Sequence, residues 1–130
     1  MASGLPRYAE RKLLDHMLKT GAFTQPTHCY VELYTSAPNS QGGGTICADA
    51  NYVHQVCDSW DAATDADPAV AQNTNVVEFP AMAASQDIVA IGVTDGTNLL
   101  AWVTCSFTAG IGVVVHFIAG AIKVRMNYTA

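Results

Sequence analysis

Eight side chains in this 130-residue sequence are of the kind that attack carbonyls or hold metals: Cys29, Cys47, Cys57, Cys105, His16, His28, His54 and His116. Zinc and thiol-redox chemistry need such residues in close pairs, typically Cys-x-x-Cys. The cysteines here stand 18, 10 and 48 positions apart and form no such pair. His28 adjoins Cys29, and His54 lies three residues before Cys57, but on a strand both pairings put the two side chains on opposite faces. Cys57 and His116 could form a nucleophile pair only if the fold brought them together, and no spacing supports it. Cys29, Cys57 and Cys105 sit in apolar, strand-like stretches, where a thiol serves as a small hydrophobe. Buried free thiols and buried or interface histidines are therefore expected, with no metal ligand among them.

The carboxylates Asp58, Asp61, Asp65 and Asp67 are the one local concentration of acid. A calcium loop wants acids at alternate positions, a central glycine and a terminal glutamate. Here Trp60, Ala62 and Ala63 intervene and neither glycine nor glutamate follows, so a solvated acidic loop is expected, with Trp60 beside it as an exposed contact residue. Gly42-Gly43-Gly44 lacks the Lys-Ser/Thr of a phosphate loop and reads as a flexible or tightly turning segment. No Gly-x-Ser-x-Gly elbow is present. The expectation is a protein that is not an enzyme, without catalytic residues, metal or cofactor.

Two kinds of element would position these groups. Leu5, Tyr8, Ala9, Leu13, Leu14, Met17 and Leu18 recur at steps of three and four, which predicts one amphipathic helix over residues 5 to 20. Ser3 is placed to cap it, Pro6 fits its first turn, and Gly21 its stop. Beyond residue 22 the texture changes to short β-branched and aromatic runs between Gly, Pro, Asn and Asp clusters. Strands are predicted at His28–Tyr34, Tyr52–Cys57, Asn75–Phe79, Ile88–Thr94, Leu99–Phe107, Val113–Ile118 and Ala121–Asn127. Asp95-Gly96 marks a hairpin between two of them. Val113–Ile118 is continuously apolar, as a strand buried on both faces would be. Residues 81 to 87 fit a helical turn or an irregular crossover. The fold class is mainly β: an antiparallel β-sandwich or jelly roll (residues 23–130) with one N-terminal amphipathic α-helix (residues 1–22) packed on or beside it.

Half of the residues are hydrophobic, enough for a real core in one domain. Six basic residues against eleven acidic ones, a net charge of −5, exclude a nucleic-acid grip built on clustered lysine and arginine. Only 13% of the residues are charged, a surface of the kind that partners often cover. The longest apolar run, Ile111 to Ile122, is interrupted and too short for a bilayer, and no signal-like stretch opens the chain. A soluble chain made in the cytoplasm, with no membrane partner, is expected.

Five segments, in order, resemble a family of small tailed-bacteriophage virion proteins. They are Tyr8-Ala-Glu-Arg-Lys-Leu-Leu-Asp-His-Met-Leu18, Val31-Glu-Leu-Tyr-Thr-Ser-Ala-Pro38, Asn73-Thr-Asn-Val-Val-Glu-Phe-Pro80, Ile91-Gly-Val-Thr-Asp-Gly-Thr-Asn-Leu-Leu-Ala-Trp102 and Phe117-Ile-Ala-Gly-Ala-Ile-Lys-Val124. Where the family often carries Gly-Gly-x-Tyr-x-Arg, this chain has Asp49-Ala-Asn-Tyr-Val-His54 and so lacks that glycine turn and arginine. The resemblance implies a structural component of the particle. Members of the family are tail-fibre-like or capsid decoration proteins. Small size, a β-rich body, few charges and a separate amphipathic helix favour a capsid decoration (cement) protein, assembled as a homotrimer on the outer shell against the major capsid protein. Leu5, Tyr8, Arg11, Lys12, Gly42, Gly43, Gly44 and Trp60 are the expected protein contacts, although the helix could equally serve only to cover its own sheet. Three alternatives stand beside this: a tail, baseplate or fibre-associated protein; a surface carbohydrate-binding module using Trp60, Asp58 and Asp61; and, least favoured, a hydrolase whose site is dispersed along the sequence.

Overall fold

The computed structural model describes residues 3–66 and 68–126. Its centre is β2 (Tyr30–Ser36), a β-branched and aromatic run whose side chains alternate between two faces. Val31 and Leu33 point into the core, while Tyr30, Glu32 and Tyr34 occupy the other side. β7 (Gln86–Thr94) pairs with β2, and β8 (Leu99–Ala109) with β7. β1 (Ser3–Gly4) lies on the far edge of β8, whereas β3 (Thr45–Ile46) and β4 (Gln55–Val56) both pair with β2. Every ladder in this six-stranded sheet is antiparallel.

Two short antiparallel ribbons complete the body. β6 (Val77–Glu78) pairs with β9 (His116–Phe117), and β5 (Ala69–Gln72) with β10 (Lys123–Met126). Val77, Phe79, Met82 and Val115 from this layer pack against Val31, Leu33 and Ile88 of the main sheet, with Cys47 and Cys57 among them. Each large aliphatic or aromatic group buried there contributes about 1.5–3 kcal/mol. Mainly β, antiparallel and carrying one helix near its start, the fold is of the expected class. All seven predicted strands have a counterpart, although β4, β6 and β9 shrink to two residues each; β1, β3 and β5 were not predicted. Asn127, at the end of the last predicted strand, lies outside the described residues.

Polar side chains fix the joints. The Asp95 carboxylate accepts hydrogen bonds from the Thr97 and Asn98 amides at 2.9 and 2.6 Å, closing the β7–β8 hairpin at the expected place. Asn73, 1% exposed, donates to the Asn75 and Ile118 carbonyls and accepts from the Ile122 amide, tying β5 to the turn before β10. The crossover at residues 81–85 is irregular, and buried Asp49 holds it through the amides of Ala83 and Ala84, both at 2.9 Å. The same carboxylate accepts from the Asn51 amide, and the Asp49 carbonyl from the Tyr52 amide, so Asp49 fixes the turn at residues 49–52.

Three expectations are corrected. The helix α1 spans Arg7–Met17 and its N-cap is Pro6 with no side-chain cap, because Ser3 is engaged in β1 against Val103. Its stop is Lys19, at φ +64°, rather than Gly21. The Lys19 and Thr20 amides donate back to His16 and Asp15, the hydrogen-bond pattern of a Schellman end. Finally, Val113–Ile118 is not a strand buried on both faces: only His116–Phe117 is strand, Val115 alone is buried, and Ile111 and Ile118 are largely exposed. The glycine turn at 110–112 drops the chain beside Met82, so just one side meets the core.

A candidate docking cleft

The face of the main sheet opposite the apolar core carries a polar cluster. Glu32, 7% exposed, sits in β2 between two core-facing neighbours, directly across from Gly92 of β7. His54 Nδ1 lies 2.9 Å from its Oε1, and the Tyr34 hydroxyl donates to Oε2 at 3.5 Å, the outer limit of a hydrogen bond. Burial first, and the Glu32 charge second, push the Tyr34 phenol well above its ordinary value, so it remains a hydroxyl donor. Gly92 is required here, since a Cβ would stand 2.8 Å from both the Tyr34 ring and Leu99.

The cluster extends along the sheet. The Tyr30 ring lies over His54 with centroids 4.2 Å apart, and His28 meets its other flank edge-on at 6.1 Å. His28 Nδ1 is 2.6 Å from Asp58, whose other oxygen accepts from the Cys29 amide at 2.8 Å. The hydrogen bond from His28, then that from Cys29, holds the Asp58 carboxyl below the usual carboxylate range. Asp58 is thus a structural tie rather than part of a free acidic loop, which corrects that expectation. Asp61 and Asp65 are exposed, and Asp67 lies outside the described residues.

Above Glu32 and Tyr34 opens a cleft of about 270 Å³. Pro6 and Tyr8 form one wall, the Gly42–Gly44 loop a second, and the Thr94–Leu99 hairpin a third. The Arg7 amide, donating to the Ser40 carbonyl at 2.7 Å, ties the helix start to the glycine loop. All three glycines have φ between +71° and +87°, and a Cβ on Gly44 would lie 2.7 Å from the Ser36 carbonyl oxygen. Side chains at those positions would be strained, so the loop presents bare backbone to the cleft.

Of the residues singled out in the sequence, Tyr8 and Gly42, Gly43 and Gly44 meet in this cleft. Lys12 lies outside it with its ammonium 5.9 Å from the Tyr8 ring centroid, and exposed Arg11 lines a shallow depression next to Tyr8 and Leu14. Leu5 belongs elsewhere, in an apolar groove with Ile91, Val103, Phe117 and Ile122. Trp60 is corrected: it is half-buried, packs against the core and donates from Nε1 to the Cys57 carbonyl at 2.7 Å. Glu32 and Asn98 were missed, although a glutamate between Val31 and Leu33 in an otherwise apolar strand was a readable signal; His54 was expected as a buried or interface histidine, without its partner Glu32.

Also missed was the far end of the helix. Ala9 is buried, but the same stripe then leaves the sheet: Leu14, Met17 and Leu18 are 56%, 74% and 69% exposed. The thiols are placed for packing rather than reaction. All four are free, Cys47 and Cys57 are buried, and burial pushes the Cys57 thiol up to about 11. Burial and then Asp58 raise Cys29 as well. A thiol kept protonated at neutral pH is a poor nucleophile. Among the described residues no group of three or more His, Cys, Asp or Glu is placed to share a metal ion, and no helix is long and apolar enough to cross a membrane.

The comparisons with known proteins bear on the whole of this architecture. No curated protein matches the chain. The family model described as podophage GP4 fiber I protein gp80 matches residues 4–125, from β1 to the third residue of β10. The chain belongs to that family, one of structural proteins of the tailed-phage virion.

Proposed function

We propose that this chain works by docking onto neighbouring proteins of the particle and carries out no catalysis. The observation that carries the reading is the helix stripe that runs off its own sheet at Leu14, Met17 and Leu18. Three large apolar side chains left in water lose the stabilisation that Ala9, on the same helix, obtains from packing. A neighbour that covers them recovers it. Further apolar side chains stand exposed on the outer ribbon, at Val76, Ile111 and Ile118, and around β4, at Val53 and Val56. A module with several such surfaces can touch more than one neighbour, and linked weak contacts strengthen binding by about 10²–10⁴.

The family's description as a fibre protein supports a place in the tail fibre or its attachment. Capsid decoration, with copies of this chain associating as a trimer on the major capsid protein, is the second reading; exposed apolar surface on separate elements is what a staple across several subunits needs. The copy number of the chain in purified particles, measured by quantitative mass spectrometry against the major capsid protein, separates them. A small number per particle fits the fibre, a ratio near one fits decoration, and absence from particles overturns both.

A further inference from the structure

We propose that the cleft over Glu32 is a socket for one cationic side chain, a lysine or arginine, presented by the protein on which this chain docks. The proposal rests on the docking reading and adds to it the chemistry of one contact. Among the described residues Glu32 is the only formally charged one lining the cleft, and no lysine, arginine or histidine among them lines it. A carboxylate has about four lone-pair positions. Here one oxygen has His54 at 2.9 Å and the other only the marginal 3.5 Å contact from Tyr34, so acceptor capacity remains on a group that is 7% exposed. Both oxygens are partnered, but a buried carboxylate whose second oxygen holds only one long hydrogen bond gains from a charge-assisted donor.

The walls suit a cation on a flexible stem. Tyr8 and Tyr34 line the cleft with aromatic rings, and the Lys12 ammonium, 5.9 Å from the Tyr8 ring centroid, lies within cation–π reach of one of them. Leu99 and Ile46 supply apolar surface for methylenes, and the backbone of Gly42–Gly44 and the Asn98 side chain can accept the remaining N–H groups. An anionic ligand would face Glu32 with no basic partner, and a purely apolar one would bury that carboxylate without compensation.

The test is an NMR titration of the full chain with Nα-acetyl-lysine methylamide and Nα-acetyl-arginine methylamide. The norleucine analogue serves as the uncharged control. Saturable shifts are expected at the amides of Gly42–Gly44 and Thr97–Leu99. The cationic ligands should bind at least about tenfold tighter than the control, and Glu32→Gln should remove that preference. Equal response to the control, no saturable binding, or an unchanged preference in Glu32→Gln overturns the socket. If Glu32→Gln does not fold, Tyr8→Ala decides: a several-fold weakening is expected, and unaltered affinity overturns the proposal. The result is independent of copy number. Abundance in particles without cation binding sinks the socket and leaves docking standing; cation binding by a chain absent from particles does the reverse.

Discussion

β2 is one strand with two different faces, and the contrast between them explains how the molecule divides its tasks. On one side Val31 and Leu33 are fully buried among Phe79, Ile88 and Met82, where shape and volume decide the energy. On the other, one residue along, Glu32 and Tyr34 are almost as buried, yet they sit among hydroxyl, imidazole and bare backbone beneath an open cleft. Burial is similar and chemistry opposite. The apolar face holds the fold together, whereas burying a carboxylate on the polar face costs desolvation free energy, which in our proposal a docked cation offsets.

The sharpest way to break that contrast is to damage each face in turn. Phe79→Ala empties the centre of the apolar face and should cost about 3–5 kcal/mol in urea unfolding. Glu32→Gln keeps the shape of the polar face and should cost about 1 kcal/mol or less. Equal losses would mean that the Glu32 cluster is a second structural core rather than a recognition surface.

Next comes Gly92→Ala, which inserts a methyl group on the polar face, 2.8 Å from the Tyr34 ring and Leu99. It should cost about 1–3 kcal/mol by overpacking, and it should also move the amide resonances of the Thr94–Leu99 hairpin. A third expectation concerns acid. The amides of Ala83 and Asn51, in that order, hold the Asp49 carboxyl below the usual carboxylate range, as His28 and Cys29 do for Asp58. A depressed folded value contributes stability that is present above the ordinary carboxylate pKa of about 4 and is lost as pH falls through the folded value. Melting temperature should therefore drop steeply below about pH 4, and Asp49→Asn should flatten that slope while lowering stability at neutral pH. An unchanged slope would contradict the Asp49 tie.

The smallest effect should be a gain. Lys19 stands in the left-handed region at φ +64°, so Lys19→Gly should raise stability by up to about 1 kcal/mol in the same unfolding assay. No gain would show that its charge at the helix end offsets the backbone cost.

How much of this was legible depended on whether the signal was periodic. The helix, the hairpin at Asp95 and seven of the strands follow from spacing and turn chemistry. The Asn73 and Phe117 segments, noticed for their resemblance to a family, prove to be hydrogen-bonded to each other through Asn73; that resemblance marks architecture. The cleft was half-visible. Tyr8 and the three glycines were singled out separately, but Glu32 and Asn98, 66 positions apart, join them only through the long-range pairing of β2 with β7, which no local pattern encodes. Trp60 was misplaced because an acidic neighbourhood suggested exposure, whereas its indole nitrogen had a backbone carbonyl to bond. Lys19 as the helix stop was hidden by Gly21, two residues on and the better residue for the role.

The central claim is that a rigid apolar core presents a polar cleft and an uncovered helix end to protein neighbours. Amide hydrogen exchange read by mass spectrometry, on the free chain and on the same chain within purified particles, tests it directly. The account expects new protection in particles at residues 14–18, 40–46 and 94–99, with Val31–Leu33 and Ile88–Ile91 unchanged. Identical exchange in both states at all of these segments would contradict it.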